Sequence, residues 1–250
     1  MVVTLGWAQK PVPPTGEELA AITARGKRLT EYDRAAHQAI AAVKAIHPVP
    51  GKGPLYLGQQ VPSGWVFWFG HWDDAGRNFV TAYEARQEGS SLQFIVKEVP
   101  PGDKQPANLT AAAGAMQAAM REFKPTQKRP YSIAVIPVEE DGFYVYIYPS
   151  QINPRVYPLG GDSRFKINKG GTVLEDRQMH RVITEIDPER SIPPGSKLAG
   201  GNHSHILSDV PEDTDVFHVL RQDPPLPEYI ATKNFIYDVE PDGSIKIVKK

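Results

Sequence analysis

The sequence predicts an α+β fold in which helices and antiparallel strands occur in separate blocks. Three observations indicate this fold: a long opening stretch has helical periodicity, aromatic and β-branched runs separated by turn residues follow it, and the helix-then-strands order then occurs again. We therefore expect an N-terminal helix packed on an antiparallel meander. A central helix with a second sheet of mixed or antiparallel strands should follow.

The first helix is predicted from Thr15 to about Ala45. Thr15 and Glu18 form a capping-box pattern, in which each side chain satisfies a backbone N–H at the start of the helix. Apolar residues then recur at helical spacing, with charged residues on the other faces. Pro48 and Pro50 end the helix.

Four strands are predicted after this helix, because four aromatic or β-branched runs are bounded by turn residues. The runs lie at 55–57, 64–70, 78–83 and 92–96. With the helix they make up a predicted first unit, residues 15–99.

Both faces of the strand at 64–70 are predicted to be covered. Alternation places Trp65, Phe67 and Phe69 on one face, while Trp68 points to the other face together with an apolar neighbour. Large aromatic side chains chiefly supply buried area, which favours core packing. The alternative interpretation is a ligand or carbohydrate groove lined by Trp68 and Trp72.

A second unit is predicted over residues 108–250. A breaker-rich connection at 100–106 precedes it, and an alanine-rich helix at 108–123 opens it. Strands are predicted at 131–138, 143–148, 163–167, 172–174, 179–186, 228–232, 234–238 and 244–248, with hairpin turns at 140–142, 169–171 and 242–243.

The composition excludes several classes of protein. The 250 residues are 40% hydrophobic and 23% charged, which is typical of globular chains. The formal net charge is −1 and the basic residues form no stripe, so we expect no nucleic-acid partner. No run approaches the roughly 20 apolar residues of a membrane span. An unidentified protein or peptide is the expected partner.

The first residues resemble the end of a secretory signal. Residues 1–9 are largely apolar and give way to a proline-rich segment, so that residues 1–14 read as a leader or linker. The pattern fits a cleavage near Ala8, although a basic segment and a full apolar segment are missing. We expect a secreted or periplasmic protein, with a cytoplasmic location as the alternative.

The chemically most specific feature is the pair His203 and His205. The chain has no cysteine, so histidine, aspartate and glutamate must hold any metal. Residues two apart on an extended chain point to the same side, so both imidazoles can reach one ion. A carboxylate from the following loop would complete a three-ligand site with a free position for water. The candidate carboxylates are Asp209, Glu212, Asp213 and Asp215.

This segment resembles the JAMM, or MPN, metal-dependent isopeptidases. In that family a His-x-His pair ends a strand, a loop carries a serine and an aspartate ligand, a helix follows, and a strand-turn-strand closes the fold. His203-Ser204-His205, residues 208–215 and the apolar run 216–220 are similar to that order. The resemblance covers about residues 108–248 and implies a JAMM-like half with zinc on His203, His205 and Asp215, with Asp213 as second choice.

The chain departs from the family pattern at several positions. Ile206 stands where a proline usually follows the second histidine, and Glu212 stands where the serine is expected. The interval from His205 to Asp215 is one residue shorter than usual. The strand at 131–136 carries no glutamate that could serve as general base. Glu139, Glu140 and Glu175 are the nearest acidic residues, so the catalytic residues stay unassigned.

An ordinary structural interpretation accounts for the same residues. On that interpretation the histidines end a strand, and the acidic loop caps the next helix, for which Asp213 and Asp215 are suitable residues. No metal would then be bound.

Three other histidines and one glycine-rich segment have two interpretations each. His71 lies beside acidic residues, and His180 follows Asp176 and Arg177; both are typical of surface turns, or could supply a second ligand set. His218 lies close to the candidate site along the chain, and it also fits the buried face of a short helix. The glycine pair before Asp162 reads as a turn, or as a means of placing Asp162 and Arg164 for binding.

Three functions are compatible with these patterns. The leading interpretation is an exported or envelope-associated, bacterial-type protein with a non-catalytic binding or scaffold role and a residual divalent metal site. The second is a zinc-dependent peptidase or isopeptidase. The third is a protein-interaction module without metal that uses the first helix and the meander.

Overall fold

A computed structural model describes residues 11–46, 55–103, 106–138, 142–187, 193 and 195–248. Over these residues the protein has three helices, α1 (Gly16–Ile46), α2 (Ala107–Glu122) and α3 (Asp213–Arg221). Several antiparallel sheets and one mixed sheet accompany them. The predicted α+β class is confirmed. The predicted leader falls mostly on residues 1–10, which lie outside the described residues.

The first sheet is the antiparallel meander that the sequence predicts. Its strands are β1 (Leu55–Val61), β2 (Gly64–Trp72), β3 (Phe79–Gln87) and β4 (Phe94–Glu98), and each pairs with the next in chain order. Strand β2 is covered on both faces, because Trp65, Phe67 and Phe69 join one core while Trp68 joins another. The core interpretation of this aromatic run is confirmed.

In the described part of its second half, the chain contributes ten strands to three further sheets. They are β5 (Tyr131–Val138), β6 (Gly142–Pro149), β7 (Tyr157–Gly160), β8 (Ser163–Asn168), β9 (Val173–Gln178), β10 (Ile183–Ile186), β11 (Gly201–Ser204), β12 (Glu228–Ala231), β13 (Ile236–Val239) and β14 (Ile245–Val248). The order β5-β6-β8-β9 makes an antiparallel sheet, and β7 pairs with β10. Strand β11 runs parallel to β12, and β12-β13-β14 is antiparallel.

Two strands differ from the sequence prediction. The predicted strand at 179–186 is reduced to β10, because Met179 enters the core and His180 turns toward α3. Strand β7 was not expected, since its short Tyr-Pro-Leu-Gly sequence lacks the usual strand pattern. The acidic residues Glu139 and Glu140 lie outside the described residues.

The two larger sheets lie between helices α1 and α2. One core joins α1 to Trp65 and Phe67 of β2 and to Tyr146 and Tyr148 of β6. The second core joins α2 to the opposite faces of the same sheets. Both cores therefore draw on residues from either side of the predicted division between residues 99 and 108. That division stays a prediction.

A third core brings α3 against α1 and the mixed sheet. It contains Leu19 and Ile22 of α1, Val216 of α3 and Tyr237 of β13. The helices cross closely at Gly26, where a Cβ would lie 2.5 Å from Val216 Cβ. This packing fixes the N-terminal turn of α3 next to the end of β11. None of the described helices is long and apolar enough to cross a membrane.

Candidate metal centre

Four side chains from three parts of the fold meet at one point. His203 lies on β11 and His205 just after it, Asp215 lies in the first turn of α3, and His180 follows β9. His205 Nε2 is 3.0 Å from Nε2 of both His180 and His203. Asp215 Oδ1 is 3.1 Å from Nε2 of both His180 and His203. These four atoms could hold a metal ion.

The spacing of the four atoms fits a first-row metal ion. They form a closed ring with edges of 3.0 to 3.1 Å. An ion at the same distance from all four atoms would lie about 1.9 Å from each if they form a tetrahedron and about 2.2 Å from each if they form a planar square. This range includes zinc to imidazole bonds of about 2.0 to 2.1 Å. One ion can therefore contact all four atoms at ordinary bond lengths.

Each imidazole is oriented by a hydrogen bond on its other nitrogen. His180 Nδ1 is 2.8 Å from Asp162 Oδ1, and His203 Nδ1 is 2.9 Å from Glu228 Oε1. His205 Nδ1 is 3.2 Å from the Val210 carbonyl oxygen and 3.2 Å from the Ser208 hydroxyl. Carboxylate and carbonyl acceptors of this kind orient metal-ligating histidines in known metalloproteins. All three histidines have such a partner.

These acceptors also fix which nitrogen carries the proton. A carbonyl or ionised carboxylate only accepts, so Nδ1 of each neutral ring donates and Nε2 is left with a free lone pair. The three lone pairs and the Asp215 carboxylate then point at the same place. Neighbouring atoms in this group lie 3.0 to 3.1 Å from each other. Such an arrangement is repulsive until a cation, either a metal ion or protons, lies between them.

The carboxylate of Asp215 is held by the start of α3. The Glu212 backbone N–H donates to Asp215 Oδ2 at 2.6 Å, as part of a capping box. Arg177 in turn binds both carboxylate oxygens of Glu212, at 2.7 and 3.0 Å. Oδ2 is engaged in the cap and also lies 3.2 Å from His205 Nε2, while Oδ1 lies 3.1 Å from Nε2 of both His180 and His203.

Burial and charge make this cluster a site for positive charge. Burial is the largest influence on the pKa of His180 and would lower it, but Asp162 and Asp215 outweigh burial, and the pKa lies well above its ordinary value. Burial likewise opposes protonation of His203, yet hydrogen bonds to Asp215 and Glu228 raise its pKa to about 9. Burial would raise the pKa of Asp215, but His180 and His205 hold it well below its ordinary value.

The structure brings together His203, His205 and Asp215, the three residues named from the sequence. Asp213, the second choice, lies elsewhere: its carboxylate accepts from Arg25 and Tyr146, each at 2.9 Å, and from Arg164. It is fully buried in this ion-pair network and is not a member of the cluster. Asp213 therefore links α1, α3 and the second sheet.

Three site residues were missed or left undecided by sequence reasoning. His180, interpreted mainly as a surface-turn residue, is buried and faces the cluster. Asp162 and Glu228 orient the imidazoles, but they are separated from His203 by 41 and 25 residues along the chain. The glycine pairs at 160–161 and 200–201 were the available sequence signal for close contacts near Asp162 and Glu228. A Cβ at Gly201 would lie 1.9 Å from Glu228 Oε2, so glycine is needed for this contact.

The remaining histidine candidates do not join the cluster. His71 is exposed on β2. His218 lies in α3 and is buried, as its helical position suggested, and burial, followed by the charge of Arg221, lowers its pKa to about 3. Neither ring nitrogen of His218 has a hydrogen-bond partner within the described part of the chain.

A pocket of about 130 Å³ opens onto the three imidazoles. Its walls are mainly apolar, and the residues that line it besides the histidines are Leu159, Gly160, Met179, Arg181, Val182, Thr184, Ser204, Ile206 and Leu207. No carboxylate is among the described residues of this wall. The glutamate base that the JAMM resemblance implies is thus absent from the described residues of this wall, and the strand at 131–136 carries none.

No family model, no curated protein and no solved structure matches this chain. The similarity to JAMM isopeptidases therefore rests on the short histidine and aspartate motif.

Proposed function

We propose that this protein binds one zinc ion in a closed site formed by His180, His203, His205 and Asp215. The observation that carries the proposal is the convergence of three Nε2 lone pairs and one carboxylate oxygen on a single point. Imidazole and carboxylate ligands in a four-coordinate arrangement suit zinc.

The ligand count favours a structural role over hydrolysis. Structural zinc sites have four protein ligands, whereas hydrolytic sites keep one position for water. Here His180 takes the position that a catalytic water would need, and Asp162 holds it there at 2.8 Å. We therefore propose a binding or scaffold protein in which zinc fixes the end of β11, the start of α3 and the segment after β9.

A zinc-dependent peptidase or isopeptidase is the second candidate function. The observation that favours it is the pocket next to the imidazoles, which would admit a small part of a substrate. This function requires that His180 leaves the metal and that another group activates water. A metal-independent interaction module is the third candidate, and metal content separates it from the other two.

Metal content of the purified protein tests the proposal. We expect one zinc per chain after reconstitution and dialysis, and its loss in His203→Ala and Asp215→Ala. His71→Ala is the matched control because His71 is exposed and outside the cluster, and it should keep the zinc. Circular dichroism of each variant verifies folding. A folded wild-type protein that takes up no zinc, and whose thermal unfolding is unchanged by zinc, would contradict the proposal.

A further inference from the structure

One edge of the proposed four-ligand zinc site is more accessible than the others. The ring centroids of His180 and His203 are 5.8 Å apart, whereas each is 4.7 to 5.0 Å from that of His205. His180 and His203 are also the more exposed pair, with 9% and 16% of their side chains accessible against 1% for His205. The gap between His180 and His203 is thus the accessible edge of the cluster.

The pocket described above lies at this same edge. Both His180 and His203 line it, and its volume of about 130 Å³ corresponds to about four water molecules. Zinc can expand from four to five ligands. A small molecule in the pocket could therefore reach the ion without displacing a protein ligand.

The charges around the pocket favour an anion. One zinc ion and the Asp215 carboxylate leave one net positive charge among the directly bound groups, and Arg181 adds a second on the pocket wall. No described wall residue is acidic. Asp162 and Glu228 lie behind the imidazoles, on the Nδ1 side and away from the pocket.

The walls favour an anion with a short apolar part. Leu159, Met179, Val182, Ile206 and Leu207 surround the space, and Val182 and Ile206 keep 69% and 73% of their surface exposed. Inorganic anions would leave these side chains without a contact. A short aliphatic carboxylate would place its oxygen at the metal and its chain against these residues.

We propose that the pocket binds a small aliphatic monocarboxylate, with one carboxylate oxygen as a fifth ligand entering between His180 and His203. This inference rests on the proposed zinc site. The bound molecule would be a ligand sensed or carried by the protein.

Cobalt substitution tests this proposal, because the visible spectrum of Co²⁺ changes in shape and intensity between four and five ligands. Propionate is titrated into the cobalt-loaded full chain, with propionamide as a neutral molecule of the same shape. We expect a saturable spectral change with propionate and none with propionamide. Val182→Asp, which places a negative charge on the wall, should weaken the effect at least tenfold.

Leu174→Asp is the matched control, because Leu174 is also an exposed apolar residue but does not line the pocket. It should respond like the wild type. Cobalt bands that propionate leaves unchanged, or that propionamide changes equally, would overturn the carboxylate proposal while the metal site stands. Absence of any cobalt bands in the folded protein would overturn the metal site itself.

Discussion

At the scale of single residues, the site depends on proton placement as much as on distance. Histidines and carboxylates also form ion-pair networks, in which protons hold the groups together. Here the Val210 carbonyl, Asp162 and Glu228 each accept a hydrogen bond from the Nδ1–H of one ring. The Nε2 atoms are thereby left to face a cation, either a metal ion or protons.

The orienting carboxylates should be needed for tight binding. We expect Glu228→Gln to weaken zinc binding about 10- to 100-fold, as loss of such partners does in other zinc proteins. Gly201→Ala should have a similar effect, because its Cβ would displace the Glu228 carboxylate. Competition with a chromogenic chelator measures the affinity, and Glu185→Gln, at an exposed carboxylate, is the control. Unchanged affinity in both variants would show that Glu228 does not orient His203.

Zinc binding should strengthen as pH rises toward 9. Protons compete with zinc for the imidazoles, and the pKa of His203 in the metal-free protein is about 9. Because this pKa is higher in the folded protein, protonation of His203 stabilises the metal-free fold at a pH below the ordinary histidine pKa of about 6.5. This stabilisation is lost as the pH rises through 9. The increase in melting temperature on adding zinc should therefore grow between pH 6.5 and 9. A zinc effect that is constant across this window would contradict the competition.

At the scale of elements, the start of α3 combines two tasks within one turn. Asp215 faces the cluster and caps the helix, while Asp213 pairs with Arg25 of α1 and Arg164 of β8. The N-terminal end of a helix stabilises carboxylates through its dipole, which suits both residues. The turn thus connects the metal site to the main body of the fold.

Replacing Asp213 should destabilise the protein without removing the metal site. Asp213→Asn removes the buried carboxylate that Arg25 and Arg164 share and leaves Arg164 paired with the more exposed Glu175, and breaking a buried pair costs about 3 to 5 kcal/mol. Urea unfolding should show this loss in the free energy of unfolding, while the folded variant still binds one zinc ion. Loss of zinc together with unchanged stability would make Asp213, and not Asp215, the ligand.

Local patterns in the sequence predicted most of the elements, but they did not predict the place of His180 or the residues that orient the imidazoles. Capping and periodicity located α1, the alanine-rich composition after a breaker-rich connection located α2, and alternation gave both faces of β2, because these signals act over a few residues. His203 and His205 were found because two ligands on one extended segment leave a visible spacing. His180 and Glu228 were not assigned, since the turn after β9 and the parallel pairing of β11 with β12 bring them together only in the folded chain.

At the scale of the whole molecule, the two predicted units share their cores. Helix α1 covers residues of both larger sheets, and its first turns pack on α3 next to the metal cluster. The N-terminal helix therefore stabilises the part of the chain that carries the site.

This sharing should prevent the second unit from folding alone. A fragment of residues 101–250 would expose Ala134, Ile136, Tyr146 and Tyr148, which α1 and the first sheet cover in the full chain. We expect this fragment to unfold without a cooperative transition in urea, unlike the full chain. A sharp transition in the fragment would instead support the predicted division between residues 99 and 108.

X-ray absorption at the zinc edge tests the central claim most directly, because it reports the ligands of the bound ion in solution. We expect four nitrogen or oxygen ligands at about 2.0 Å, with the outer-shell scattering of three imidazoles, and of two imidazoles in His180→Ala. A spectrum that shows six ligand atoms, most of them oxygen, would contradict the site of three histidines and one aspartate. A spectrum that His180→Ala leaves unchanged would contradict it as well.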